Sequence, residues 1–414
     1  MNSANWPIPS DRFLTWPQSL LRVSWGSDIR HISYLFGFIF NGYDDGKSTN
    51  EIRSFFNMLG PSDIRKVQEL MLPDSHPDHQ DIYALFQLRI DESVGRNNAI
   101  KEIKRYISNK SKKDLFNLEI LDPRINKTLK KYLSLFIENL YLNEKFLGEK
   151  FSFSDSSLMN CIYAGSYIDN KRNFDETSIS IDKLFKLKGT VIPTNIENKF
   201  LVGLRENGEI LYSEAEIVEL RSNVRLKKLF LLDSSLKKIS LNKLSKREKI
   251  VFLENRNSFV EINLRAKNAI SNADVIIYSP GTQHSSLYPT YLTKGFTESV
   301  AGNKRALKVF ITNIGEDYET PKYSASDYIL GAYKYLCYET LSYPMEALFN
   351  FNFVNKIRKG LKKSSTTYVL PDTKTLNSIN VETIYDHFES EKNLGKHDGE
   401  KLVKRIFKLY DLNK

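Results

Sequence analysis

Short apolar runs alternate with polar turns and longer amphipathic stretches along this chain. Residues 31–41 (HISYLFGFIFN) form an apolar run that predicts a strand, and it ends in the dense polar stretch 42–49. A helix is expected from Glu51, capped by Ser48 or Thr49. Pro61, Ser62 and Asp63 start a second helix, with Asp63 where a carboxylate is favoured. Residues 82–90 resume an apolar helical pattern, and 97–145 read as helical. Residues 156–168 (SSLMNCIYAGSYI) predict an apolar helix with Asn160 in its first turns, an expensive place for an amide without a partner. Residues 189–217 break into short strands, with Glu206-Asn207-Gly208 as a hairpin turn. Residues 234–262 are charged and Lys-rich and read as an insertion. Residues 273–278 and 306–313 have the continuous apolar character of buried parallel strands. Pro280 and Gly281 end the first of these abruptly, and 288–300 predicts a helix with Pro289 tolerated at its start. Residues 323–338 predict a helix with Ser324, Ser326 and Asp327 at its start. Beyond 350 a strand is expected at 367–370 and a final helix near 399–410.

This alternation predicts an α/β fold of three layers, with helices on both faces of a mostly parallel sheet. Residues 1–30, with Trp6, Trp16 and Trp25 scattered without period, read as irregular. Residues 31–345 would form the α/β domain, with a helical excursion near 97–145 and the insertion near 234–262. Residues 346–414 would be a C-terminal extension.

Composition narrows the function classes. The 414 residues are 41% hydrophobic and 27% charged, ordinary for a globular protein. The net charge of +10 attracts anions. The basic clusters at 110–113 and at Lys127, Lys130 and Lys131 carry no aromatic or Gly interleaving, so they read as solvated helix faces rather than a nucleic-acid surface. Cys161 and Cys337 make no disulfide framework, which suits a reducing compartment. No apolar run reaches membrane-spanning length, and the N-terminus lacks a signal-peptide pattern. The expectation is a cytoplasmic protein with no membrane or nucleic-acid partner.

Candidate chemistry gathers where strands end. Thr282, Ser285 and Ser286 follow the Pro280-Gly281 turn just before a helix start, a combination that makes an anion site at the carboxyl edge of a parallel sheet. The plain alternative is an ordinary strand–helix turn. Asp44 and Asp45 stand on another strand-end turn, where one can hold a hard cation and the other can orient or deprotonate a hydroxyl. They can equally be turn formers. Thr194 and Asn313 also follow apolar strands. His76 and His79 lie three apart in a loop, with Pro77 between them and no further Cys or His nearby, so they read as solvated.

Several of these stretches resemble one family. Asp44-Asp45-Gly46-Lys47-Ser48-Thr49 followed by Gly60-Pro61-Ser62-Asp63-Ile64-Arg65 resembles the "DDGGSS…PGDxR" signature of the CofD/YvcK family, which includes 2-phospho-L-lactate transferase. Ser157-Leu158-Met159-Asn160 resembles its "S-x-G-N" helix start. Val191-Ile192-Pro193-Thr194, and then 201–214, resemble its "VlPvT…GE" segment. Residues 273–289 are similar to "AD.Iv.gPGs.yTSi.P", 308–313 to "kvyv.N", and 323–327 to "YSvsDh". The resemblance spans about 41–90, 155–220 and 265–330, and its specificity lies in the order and spacing of the motifs.

The resemblance implies a Rossmann-like domain with a nucleoside diphosphate, linked to GDP or UDP, at the carboxyl edge of the sheet. In one branch, with magnesium, a phospholactyl-type group passes from its nucleotide carrier to a deazaflavin alcohol. In the other the protein binds UDP-sugars and regulates cell-envelope or carbon metabolism without catalysis. Carried over, Asp44 and Asp45 would be catalytic and hold the metal. Lys47, Ser48, Thr49, Arg65, Asn160, Thr194, Pro280, Gly281, Thr282, Ser285, Ser286, Asn313 and Asp327 would line the nucleotide site, with Asp63 capping its helix and holding Arg65. A homodimer is open. Three positions depart from the family pattern. Nothing in residues 1–40 matches the family's opening Gly-rich loop, Gly26-Ser27 being a poor substitute; Lys47 replaces the second Gly of "DDGG"; and Met159 replaces the Gly before Asn160.

Overall fold

A computed structural model describes residues 20–25, 34–109, 118–236, 241, 243–338, 342–358 and 366–412. Twelve strands occur among them, in chain order β1 Leu20–Trp25, β2 Tyr34–Phe40, β3 Arg89–Ile90, β4 Ser156–Ser157, β5 Gly189–Pro193, β6 Phe200–Arg205, β7 Ile210–Leu211, β8 Leu226–Leu232, β9 Val275–Tyr278, β10 Leu307–Ile311, β11 Phe351–Asn355 and β12 Glu382–Asp386. Seven make the main sheet, in the order β12-β11-β10-β9-β1-β2-β5. β1 pairs antiparallel with both its neighbours, and every other pairing in the sheet is parallel. The fold is the expected three-layer α/β arrangement. Its parallel strands are buried on both faces, as the fully buried β9 (VIIY) and β10 (LKVFI) require.

From β2 the order runs outward to β5, and from β9 it runs the other way to β12. The reversal falls at β1, so the crevice where such folds hold ligands lies between the loops that leave β2 and β9. Because β1 runs against its neighbours, Leu20 pairs with Ile39 at that edge while Trp25 pairs with Tyr34 at the opposite one. A phosphate loop following the first strand would thus leave from the wrong edge. Gly26-Ser27 and the 110–113 cluster lie outside the described residues.

Several elements differ from the sequence expectation for local reasons. The segment after 345 supplies β11 and β12 to the main sheet, and Phe353, Val354, Ile384 and Leu402 join the common core. The strand expected at 367–370 reduces to a single bridge between Tyr368 and Gly315. The 234–262 insertion folds onto a second sheet, β7-β6-β8, through the helix Lys246–Glu254, and Leu253 packs there with Val202, Leu204 and Phe230. The helix expected over 288–300 is three pieces: a π-turn Gln283–Leu287, a helix Tyr288–Tyr291, and a helix Phe296–Gly302. Gly295, at φ 88° in left-handed backbone, is the N-cap from which the last of these helices begins. The helix after β2 begins at Lys47, with Gly46 as its N-cap and no side-chain cap from Ser48 or Thr49. Among the described residues no helix is long and apolar enough to cross a membrane.

Candidate functional site

Asn41 joins the two loops at the reversal, its Nδ2 donating to the Ser286 carbonyl at 2.5 Å. The acid pair stands just beyond it. Asp44 is partly exposed; its Oδ1 accepts from the Gly46 amide at 3.2 Å and its Oδ2 from the Thr49 hydroxyl at 2.8 Å. Thr49 also bonds Ser62, which ties the start of the second helix to the loop. Asp45 is differently placed. Its Oδ1 meets Arg53 Nη1 at 3.0 Å, and its amide donates to Glu214 Oε2 at 3.0 Å.

Arg53, 2% exposed, is the residue the sequence reading missed. Its guanidinium also donates to the carbonyls of Tyr43 at 3.0 Å, Asp44 at 3.3 Å and Lys199 at 2.5 Å, and to Asn198 Oδ1 at 2.9 Å. This planar fork of donors locks the acid loop onto the entry to β6. The only signal was an Arg beside the apolar face Ile52, Phe55 and Phe56 of the helix that follows the acids. Burial raises the Asp45 carboxyl above the usual range, Arg53 opposing it. Burial, then the Asp44 charge, push the Glu214 carboxyl well above its ordinary value. Asp63 is raised too, mainly by burial. It sits in the first turn of Ser62–Leu70 and contacts Lys66 at 3.2 Å, while Arg65 donates to the Phe86 carbonyl; the expected Asp63–Arg65 pairing is replaced by these partners.

Asn160 is fully buried in the first turn of the helix Leu158–Asp169, and neither polar atom of its amide has a partner among the described residues. Ser157, paired with Arg89 across β3–β4, has a buried hydroxyl that likewise finds no partner among the described residues. Arg89 reaches Ser48 Oγ at 3.5 Å, which connects this corner to the acid loop. The Lys47 side chain lies outside the described residues.

On the other side of the reversal, Gly281 and Asn313 are bonded in both directions, amide to Oδ1 at 2.9 Å and Nδ2 to carbonyl at 3.0 Å. Thr282 and Ser286 share a hydroxyl contact of 2.8 Å. The amides expected to receive an anion already have an acceptor: Glu319 Oε2 accepts from His284 N at 2.8 Å and Ser285 N at 3.0 Å, and Oε1 from the Ser285 hydroxyl at 2.5 Å. Glu319 is buried, and its carboxyl is pushed up to about 8 by desolvation and by Asp317. The neighbouring His284 imidazole, wholly buried, is pulled down to about 3.

Two further residues serve the scaffold. Thr194 donates from amide and hydroxyl to the Phe40 carbonyl, both at 2.8 Å, and so closes β5 onto β2. Asp327 caps its own helix in a reciprocal box with Ser324 and pairs with Arg225 at 3.1 Å. Beside Pro280, Gly281, Thr282 and Asn313 opens a cleft of about 970 Å³, whose other walls include Tyr318, Arg221 and the C-terminal residues Lys396 and His397. The geometry therefore brings the 44–49, 280–286 and 313 residues to one edge, and gives Thr194 and Asp327 structural partners.

Comparison with known proteins bears on this edge. The sequence model of the family described as "2-phospho-L-lactate transferase CofD" matches residues 29–389. A "Putative gluconeogenesis factor" of Clostridium acetobutylicum is 23% identical over 261 residues, which cover 62% of this chain and 52% of that protein. One from Aquifex aeolicus is 25% identical over 232 residues, covering 55% of this chain and 62% of its own length. The chain thus spans little more than half the length of these relatives. A crystal structure of a UPF0052 family protein from Bacillus halodurans superposes with a TM-score of 0.60 at 21% identity, covering 90% of each chain, and shares the fold. The order of motifs in the sequence, the switch-point architecture and a family match over most of the length agree: the chain belongs to the CofD family.

Proposed function

We propose that this protein binds a nucleoside diphosphate-linked ligand at the carboxyl edge of the sheet, in the manner of a ligand-binding regulator. The observation that carries the reading is the junction itself. The loops leaving β2 and β9 flank the strand-order reversal and are tied by the Asn41–Ser286 bond, and the β9 loop lines a cleft large enough for a nucleotide. The name of the curated relatives, gluconeogenesis factor, supports a role outside simple turnover.

Magnesium fits this edge through one carboxylate. Asp45 is committed to Arg53, and no group of three or more His, Cys, Asp or Glu suited to a metal occurs among the described residues. Asp44 remains, and magnesium is commonly held by one or two carboxylates together with ligand phosphates. It would neutralise phosphate charge there.

The second reading is transfer of a phospholactyl-type group to an acceptor alcohol such as a deazaflavin. The partly exposed Asp44 favours it, since a carboxylate held by Thr49 could orient an acceptor hydroxyl. Calorimetry with GDP and UDP, with and without magnesium, tests the binding reading on the wild type and Asp44→Asn. We expect magnesium-dependent binding that weakens roughly tenfold to a hundredfold in the variant, with melting unchanged. Absence of binding to either nucleotide defeats the proposal. Binding accompanied by turnover of a phospholactyl nucleotide with a deazaflavin alcohol selects the second reading over the first.

A further inference from the structure

The turn after β9 is preloaded. Glu319 takes the His284 and Ser285 amides and the Ser285 hydroxyl, and it is only 3% exposed. A ligand phosphate brought to the same donors would have to displace a buried carboxyl group that already occupies them. The phosphate of a ligand at this edge needs other partners.

The adjoining cleft supplies them. Arg221 and Lys396 both line it, alongside Gly281 and Thr282. Neither is paired with a carboxylate among the described residues. The Arg221 guanidinium carbon lies 4.1 Å from the Tyr318 ring centroid, and its N–H donors suit a bidentate anion. Glu316 and Asp317 also line the cleft, and each accepts hydrogen bonds within its own loop. Asp317 accepts from the Glu319 and Thr320 amides at 2.9 and 3.0 Å, the Thr320 hydroxyl at 2.9 Å and Asn313 at 3.3 Å, and Glu316 accepts from the Lys322 amide. His397 is pulled down to about 4 by burial and bonds the Thr312 carbonyl, so it adds no charge at neutral pH. Lys396 stands beyond residue 389, where the family match ends, and so belongs to this chain's own C-terminal wall.

We propose that Arg221 and Lys396 hold the phosphate of the bound ligand inside this cleft, and that Glu319 bars it from the 284–285 turn. The inference rests on the nucleotide-binding reading above. It assigns the anion subsite to two cations, one on the segment preceding β8 and one near the C-terminus, and moves it away from the turn that sequence motifs suggest.

The test measures binding of GDP and of inorganic pyrophosphate by calorimetry at two salt concentrations, on wild type, Arg221→Gln, Lys396→Gln and Glu319→Gln. Each cation variant should weaken both probes by about tenfold, the loss expected of a charge-assisted contact, and flatten the salt dependence, with melting unchanged. Glu319→Gln should leave affinity within about twofold. If wild type binds while both cation variants bind equally well, or if Glu319→Gln alone changes affinity by tenfold or more, the subsite is misassigned and the nucleotide reading survives. If wild type binds neither probe, both fall together.

Discussion

Removing Arg53 gives the sharpest test of how the acid loop is held. In Arg53→Met the carbonyls of Tyr43, Asp44 and Lys199 and the Asn198 amide oxygen lose their donors, and Asp45, with its side chain 11% exposed, loses its cation. Breaking a buried ion pair from one side costs roughly 3–5 kcal/mol, because the remaining charge stays desolvated. The carbonyls recover part of their loss from water entering the loop, so the individual bonds should not be summed. We expect about 3–5 kcal/mol. Asp45→Asn should cost less, about 1–2 kcal/mol, since Arg53 keeps its carbonyl partners. Combined, the two changes should destabilise by about 1–3 kcal/mol less than their sum, because the double variant no longer buries a lone carboxylate. Urea unfolding followed by circular dichroism and fluorescence together measures these values, with coincident transitions as the check on two-state behaviour. Hydrogen exchange should show faster opening of the 41–46 amides in Arg53→Met. A cost below about 1 kcal/mol for Arg53→Met, or strict additivity of the pair, would refute the view that Arg53 is the keystone of the loop.

The remaining expectations concern separate parts of the fold. Asn160→Leu should raise the unliganded melting temperature, since an unpaired buried amide costs roughly 1–3 kcal/mol, while weakening ligand binding; a lower melting temperature means the amide has a partner after all. Gly165→Ala should destabilise by about 2 kcal/mol or more, because its Cβ would stand 1.8 Å from the Tyr132 carbonyl oxygen where two helices cross, and an unchanged urea midpoint counts against that contact. Stability should also fall as pH rises from about 6.5 to 8.5. A carboxyl raised from 4.5 to about 8 in the fold keeps a proton that the unfolded chain has released, so Glu319 favours folding at low pH and loses that contribution through its folded value. Asp182, raised to about 7 by burial, acts in the same sense. His284 and His397, lowered from 6.5, act oppositely but only below that value. The melting temperature of Glu319→Gln should decline less steeply over this window, and an identical slope to wild type argues against a raised Glu319.

What the sequence determined by itself was local. Apolar period and turn residues located β2, β9 and β10, the helix at 158–169 and the hairpin between β6 and β7, because each depends on neighbours within a few residues. The acid pair, Asn160 and the Pro280-Gly281 turn were legible from residue type and order; the loops that carry the acid pair and the turn leave β2 and β9 and are joined by the Asn41–Ser286 bond, while Asn160 lies buried at the start of its own helix. The tertiary structure decided which groups neutralise which. Arg53 on Asp45, Glu214 on the Asp45 amide and Glu319 on the 284–285 amides are pairings between side chains and distant loops, and no periodicity encodes them. The same holds for the sheet. β11 and β12 are short runs whose strand identity comes from pairing, β11 on β10 and β12 on β11, and the direction of β1 follows from its two neighbours rather than its composition. Burial explains the difference: a carboxylate such as Glu319 looks like a solvated surface acid in a sequence, and only the packing of the 314–320 loop against the turn after β9 removes it from water and hands it the amides that a phosphate was expected to take.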